Sequence, residues 1–374
     1  MSERDIVNFI TSYKSLTIVP DTSLDSLLAS GILLKHLIDH QWDVKVCIDA
    51  KVLVDYPNDP AILINLPPVN KQKQLAIDSS ADTGSSTAKI VSLLDAMFGV
   101  DKSAKLLALV GGFYRNYYDF KGGKFKGVEN GILSELAQSK LVVEAPALRL
   151  WGAKRKNLVS ALTRTLMPIL PGITGVPDKA LKIVESTFRG QNPYSVKYKE
   201  IRGDELSKNL IKSIADSLGD PSLIIHLLGD FYILIPELSD QKEFELSEVI
   251  GSMVVYESLC KNCIYDLVLL SFNKTAIPQI LSVYDEVADY VAEIITSQLD
   301  ILRRGEPAEV EEALERPDLA VDVLMYVNML PRDKPVKVLV KDRSITVLRE
   351  LLRIGTKPEN AYVSCEPDQT CTLQ

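Results

Sequence analysis

The sequence has no apolar run long enough to cross a bilayer. Its most apolar stretch, Leu223 to Ile235, is interrupted by His226, Gly229 and Asp230 and falls short of the ~20 residues a spanning helix needs. Positive charge is not in excess either: 42 basic against 50 acidic residues leave a net charge of −8 and a pI near 5.2, which opposes a protein that coats nucleic acid nonspecifically. The five cysteines (Cys47, Cys260, Cys263, Cys365, Cys371) are odd in number and scattered, so free thiols are expected rather than a disulfide framework. Only Cys260 and Cys263 stand at metal-like spacing. With no second pair and no histidine nearby they read as buried thiols, and no metal is expected there. The opening MSERDIVNFI carries Glu3, Arg4 and Asp5 before turning amphipathic, which is not the order of a secretory signal, so a cytoplasmic location is expected. Phosphate-loop, His-Glu-x-x-His and Gly-x-Ser-x-Gly motifs are lacking, and so are internal repeats.

What is present fits a folded globular chain: 46% hydrophobic and 25% charged residues, close to ordinary averages. At 374 residues two domains are the expectation. Leu16 to Val19, Val44 to Ile48, Ala61 to Leu66 and Gln74 to Asp78 read as strands, with helices at Leu24 to Asp39 and Thr87 to Phe98. Near-continuous apolar strands separated by helices imply a parallel sheet covered on both faces. From Lys102 to Ala153 the pattern reads as mostly helical. Pro168, Pro171, Gly172, Gly175 and Pro177 then break the chain. Beyond them we expect a helix near Glu205 to Leu218, a long one from Pro278 to Arg304, a strand at Val336 to Val340, a helix at Thr346 to Ile354 and a short strand near Ala361. The expected division is residues 1–165 as one α/β domain, 166–204 as a connector and 205–374 as a smaller C-terminal α/β domain.

Ligands of parallel sheets collect beyond the carboxyl ends of the strands. There the sequence places Asp21-Thr22-Ser23-Leu24-Asp25-Ser26, then Asn65, then Asp78-Ser79-Ser80. This ordering resembles the DHH phosphoesterase superfamily that contains the RecJ exonucleases, whose Asp and His residues hold two Mn²⁺ or Mg²⁺ ions. The family's His-x-Asp-x-Asp-Gly falls on Asp21 to Ser26: its His becomes Asp21, its first Asp becomes Ser23, Asp25 persists, and its Gly becomes Ser26. Its second-motif Asp falls on Asn65, and its Asp-His-His on Asp78, Ser79 and Ser80. The segment LALVGGFYRN resembles the fourth motif, with Arg115 or a neighbour at the ligand position. His36 cannot substitute, since 11 residues of helix put it about 16 Å from Asp25. Read without the resemblance, Asp21 and Asp25 cap or flank a helix start, and Asp78 to Ser80 with Asp82, Thr83, Ser85 and Ser86 form a polar turn before the next helix.

Among relatives, Leu24 to Leu33 looks most like the RecJ-related subunit of the CMG replicative helicase. GGKFKGVENGILSELAQSKLVV and LMPILPGITGVPDKALKIVES read like archaeal members of the group. The resemblance covers roughly residues 14 to 190. The C-terminal part is expected to be DHHA1-like, although the Gly-Gly-Gly-His loop of that domain is missing. It implies a catalytically inactive scaffold subunit without cofactors, joining the GINS complex to the MCM helicase, with single-stranded DNA as a further candidate partner. The alternative is a divergent Mn²⁺-dependent single-strand exonuclease or phosphoesterase using Asp21, Asp25 and Asp78.

Two basic clusters are candidate partner or nucleic-acid surfaces. Arg115, Lys121, Lys124 and Lys126 are interleaved with Phe113, Tyr114, Tyr117, Tyr118, Phe120 and Phe125, a composition suited to stacking on single strands. Arg149, Lys154, Arg155 and Lys156 surround Trp151. The long helix carries Asp285, Glu286, Asp289, Glu293 and Asp300, an acidic face fit for a basic partner or for water.

Overall fold

The protein was studied as a computed structural model that describes residues 3–79, 84–119, 124–153, 155–197, 204–218, 222, 224, 227–234, 244–259, 264–273, 276–303, 309–310, 338–340, 343–347, 363–365 and 370–373. In chain order the elements are α1 (Glu3–Ser12), β1 (Ser15–Pro20), α2 (Leu24–Asp39), β2 (Asp43–Val46), α3 (Val52–Asp55), β3 (Ala61–Ile64), β4 (Gln74–Ile77), α4 (Ser86–Phe98), α5 (Lys102–Tyr114), β5 (Tyr118–Asp119), β6 (Lys124–Phe125) and α6 (Gly127–Gln138). They continue with β7 (Val142–Leu148), α7 (Leu158–Arg164), α8 (Pro177–Thr187), α9 (Asp204–Ser217), β8 (Leu228–Leu234), β9 (Phe244–Glu245), α10 (Leu246–Leu259), α11 (Ile264–Leu269) with a 3₁₀ turn at Leu270–Phe272, and α12 (Ala276–Arg303). Five short strands close the order: β10 (Glu309–Val310), β11 (Val338–Val340), β12 (Arg343–Val347), β13 (Val363–Cys365) and β14 (Thr370–Leu373). No helix among the described residues is long and apolar enough to cross a membrane.

The chain divides into two compact units. The first comprises Met1–Asp119, Lys124–Val142 and Asn262–Ile277. Its centre is a parallel sheet of order β2-β1-β3-β4, the arrangement expected from the apolar strands. Every residue of β3 is buried, as is β1 after Ser15, which is why the two strands read as near-continuous hydrophobic runs, broken only by Thr17 in β1. Helix α2 is apolar on nearly all sides because it packs on the sheet and also meets α4, α5 and α11. Gly31 permits the last contact: a Cβ there would lie 1.8 Å from the Val268 carbonyl oxygen.

The second unit comprises Phe120–Gly123, Val143–Lys261 and Pro278–Gln374. It contains a three-stranded sheet of order β7-β8-β9 and a five-stranded sheet of order β10-β11-β12-β14-β13. Helices α7, α8 and α9 enclose one core in which Leu158 and Leu162 meet Ile183, Val184, Leu210 and Ile214.

That core explains why the units differ from the boundaries read in the sequence. Residue 165 falls inside the second unit, and the expected connector 166–204 supplies core residues Leu170, Ile173, Ala180 and Phe188. Its prolines and glycines shape turns between packed segments rather than a linker. Two local expectations also change. Residues 142–148, read within a mostly helical stretch, form β7. Thr346 and Val347, read as the start of a helix, end β12, and most of the remaining expected helix lies outside the described residues. Cys260, Cys263 and His226 lie outside them too.

Candidate functional site: a closed carboxylate network

At the carboxyl edge of the parallel sheet the chain brings Asp21, Ser23, Asp25, Asn65, Ser79 and Arg115 into one hydrogen-bonded network. Asp25 lies in the first turn of α2 with a fully buried side chain. It does not cap its own helix. Instead it reaches the N-terminus of α4, where its Oδ2 accepts from Ser86 N–H at 3.1 Å and its Oδ1 from Thr87 N–H at 2.9 Å and Thr87 Oγ1 at 2.7 Å. A helix N-terminus gathers unsatisfied N–H groups and positive partial charge. In this fold that anion position is filled by the protein's own carboxylate. The fourth donor is Arg115 at the end of α5, whose Nε lies 3.0 Å from Asp25 Oδ2.

Arg115 also ties in the neighbouring positions. One terminal nitrogen donates to Ser23 Oγ at 2.9 Å and stands 3.7 Å from Asp21 Oδ2. Burial works against its charge, but the fields of Asp25, Tyr114 and Asp21 prevail and hold its pKa above the ordinary value. Asp21 Oδ1 accepts from Ser23 N–H at 3.0 Å, a turn closed locally. On the next strand Asn65, in the left-handed region at φ 55, donates through Nδ2 to Ser26 Oγ at 2.8 Å. Its Oδ1 accepts from Ser79 N–H at 2.7 Å and lies within 3.1 Å of the Ser79 and Ser86 hydroxyls.

Two glycines and a glutamate close the site from behind. A Cβ at Gly111 would sit 2.5 Å from Thr87 Oγ1 and 2.7 Å from Asp25 Oδ1. One at Gly112 would strike the Glu129 side chain at 2.3 Å. Glu129 is fully buried and accepts Ser85 N–H at 2.7 Å. Burial raises its pKa, the hydrogen bonds of Ser85 oppose that, and the nearby Asp25 charge adds to the rise. Lys89 on α4 bonds to the Asp78 carbonyl. Burial lowers its pKa against the opposing fields of Asp78, Asp25 and Glu129.

Whether such a site suits the two divalent ions implied by the resemblance follows from its donors. A two-metal centre needs several carboxylate or imidazole atoms with lone pairs directed at the ions. Both oxygens of Asp25 are already occupied by four protein donors, and Asn65 Oδ1 is shared among three. The Arg115 guanidinium already supplies a positive charge 3.0 Å from Asp25 Oδ2. Among the described residues no group of three His, Cys, Asp or Glu side chains converges. His36 hydrogen-bonds Ile32 O at 2.9 Å, and His40 stacks on Phe98. These residues do not fit a pair of metal ions.

The basic clusters are placed differently from the sequence reading. Phe113, Tyr114, Tyr118 and Phe125 are buried, with Tyr118 at 5.0 to 5.4 Å from the rings of Phe125 and Phe113. They therefore fill the core and offer no stacking surface. Arg115 belongs to the carboxylate network, Lys124 and Lys126 are exposed, and Lys121 lies outside the described residues. In the second cluster Arg149 and Trp151 are buried, and Lys154 is not among the described residues. Arg155 pairs with Glu248 and, at 2.6 Å, with Asp285, which Lys156 also meets at 3.1 Å. Arg164 makes a two-pronged pair with Asp289 at 2.8 and 2.9 Å. The acidic face of α12 is thus met, at Asp285 and Asp289, by the chain's own arginines and lysine. Ser80 lies outside the described residues.

Sequence reasoning missed Ser86, Thr87 and Glu129 as members of the network. Ser86 reads only as a member of a polar turn, and Glu129 lies in a segment, VENG, whose polarity reads as surface. The available signal was the Gly111-Gly112 pair within an otherwise large-residue helix, since adjacent glycines there mark a close approach by another group.

The chain has a mixed α/β fold built on a parallel four-stranded sheet. It is similar in fold to CDC45: the crystal structure of CDC45 from Entamoeba histolytica superposes with a TM-score of 0.63 at 9% identity, covering 100% of this chain and 95% of that one. At this identity the match establishes the fold. Manganese-bound exonuclease RecJ (TM-score 0.42, 10% identity, 99% of this chain and 88% of that one) and Mn²⁺-bound RecJ from Thermus thermophilus (0.41, 9%, 99% and 51%) also align, at scores too low to support more. No protein-family model and no curated protein matches the chain.

Proposed function

We propose that the chain is a non-catalytic, RecJ-like subunit of a replicative helicase of the CMG type, binding the GINS complex and supporting DNA unwinding by MCM. The observation that carries this reading is the saturation of Asp25 by two backbone N–H groups, a threonine hydroxyl and the Arg115 guanidinium. A site closed in this way leaves neither Asp25 oxygen free to take a hydrolytic metal. The CDC45 likeness in fold agrees with it. The archaeal assignment rests on the sequence resemblance of residues in the first half of the chain. Such a subunit acts by binding: it contributes a coupling free energy that favours the active arrangement of a motor, not chemistry of its own.

The test is reconstitution. Purified chain is expected to co-elute with GINS and MCM at physiological salt and to raise MCM unwinding of a forked duplex. Failure to associate with either partner would contradict the proposal. Mn²⁺-dependent digestion of single-stranded DNA that disappears in Asp25→Asn would favour the exonuclease reading instead.

A further inference from the structure

Helices α8 and α9 enclose, within the second unit, a groove of about 840 Å³ that the proposed function does not use. One wall carries Lys179, Lys182, Ser186 and Thr187 along one stripe of α8, continued by Arg189 and Gln191. The other carries Asn209, Lys212, Ser213, Asp216 and Ser217 at helical spacing on α9. Ile183 and Phe188 form its apolar floor, both nearly buried. Four cations face one carboxylate, Asp216, in a chain whose net charge is −8. Among the described residues none of the four cations takes part in an ion pair. The groove therefore attracts an anion.

The hydroxyl groups decide which kind of anion. Ser186 and Thr187 donate to the Ile183 carbonyl at 2.9 and 2.8 Å, and Ser217 donates to the Ser213 carbonyl at 2.8 Å. A hydroxyl has one hydrogen, so the Ser186 and Ser217 oxygens present only lone pairs to the groove, while the Thr187 hydroxyl also lies 3.2 Å from the Ser213 hydroxyl. A deoxyribose phosphate backbone has no donor to offer them. A peptide backbone supplies an N–H at nearly every residue. Nonspecific single-strand sites also rely on accessible aromatic faces, and the one ring in the lining, Phe188, is 4% exposed. From this geometry we infer that the α8/α9 groove binds an acidic peptide segment of a protein partner. Its carboxylates meet Lys179, Lys182, Arg189 and Lys212, and its backbone N–H groups meet the seryl and threonyl oxygens.

This inference does not depend on the helicase reading. Its test is fluorescence anisotropy of the full chain with a labelled peptide of alternating glutamate and alanine. The glutamine counterpart and an oligothymidylate of similar length serve as rival probes. The acidic peptide is expected to bind best. The double substitution Lys182→Glu/Lys212→Glu, both at exposed positions, is expected to weaken it about tenfold with an unchanged unfolding midpoint. Rising salt is expected to weaken it as well. Equal binding of the glutamine peptide, indifference to the double substitution, or a groove that takes the oligothymidylate in preference would overturn the inference.

Discussion

Replacing Arg115 by Met removes the guanidinium while keeping a side chain of similar length over the Tyr114 ring, which the cation approaches at 5.6 Å. Asp25, whose side chain has no exposed surface, would then keep its two backbone donors and the Thr87 hydroxyl but lose the Arg115 cation paired with it. Removing one partner of a buried ion pair costs about 3–5 kcal/mol. The remaining three donors, and the 19% exposure of the Arg115 side chain, place the expected loss near the lower end, about 3 kcal/mol. Urea unfolding monitored by circular dichroism measures it as a lower midpoint at unchanged slope. A double-mutant cycle with Asp25→Asn isolates the pair, with an expected coupling of about 2 kcal/mol. Adding Mn²⁺ to Arg115→Met is expected to restore nothing, because the Ser86 and Thr87 donors still occupy Asp25. A loss within about 0.5 kcal/mol, the range of ordinary surface substitutions, would refute the idea that Arg115 neutralises the site, and full rescue by Mn²⁺ would refute the idea that the remaining donors close it to metal.

Two further outcomes follow from the same structure. Gly111→Ala would force a methyl group to 2.5 Å from Thr87 Oγ1, and is expected to cost about 3 kcal/mol through displacement of the Asp25 network; a neutral result in thermal unfolding would contradict the close approach of α5. Glu245 is buried in the second unit, and burial pushes its carboxyl up to about 7, with the hydrogen bonds from Ser247 and Glu248 opposing. The folded chain therefore holds this proton after the unfolded chain has lost its own near 4.5. The resulting contribution is fully present below that value and fades as pH rises to about 7, by about 3 kcal/mol at about 1.4 kcal/mol per pH unit. Glu245→Gln is accordingly expected to stabilise the protein at pH values above 7 and to match it in acid, and a difference between the two that does not vary with pH would refute this.

The first unit was legible because its physics is local. Fully buried parallel strands such as Ala61–Ile64 leave short apolar runs, and Leu24–Asp39 is apolar enough all round to announce a central helix. The polar residues at the end of the first strand were legible for the same reason, since the strand end and helix start are marked by Pro20, Asp21 and Ser23. What could not be read was pairing over distance. Asp25 meets residues 61, 62 and 90 positions away, and its neighbours in sequence suggested a cap on its own helix instead. The basic residues after Trp151 and the acidic stripe of α12 look like two surfaces when read separately. Arg155, Lys156 and Arg164 instead join Asp285 and Asp289 in a single internal ion network, at 130 residues' separation between Arg155 and Asp285. The return of α11 to the first unit is likewise invisible in its own residues and is hinted at only by Gly31.

That the carboxylate at the end of the parallel sheet is closed by the protein's own donors is tested most directly by titrating the purified chain with Mn²⁺ and following free ion by electron paramagnetic resonance. The account predicts no site whose occupancy depends on Asp25, and identical titrations for the wild type and Asp25→Asn. Stoichiometric binding that Asp25→Asn abolishes would contradict it.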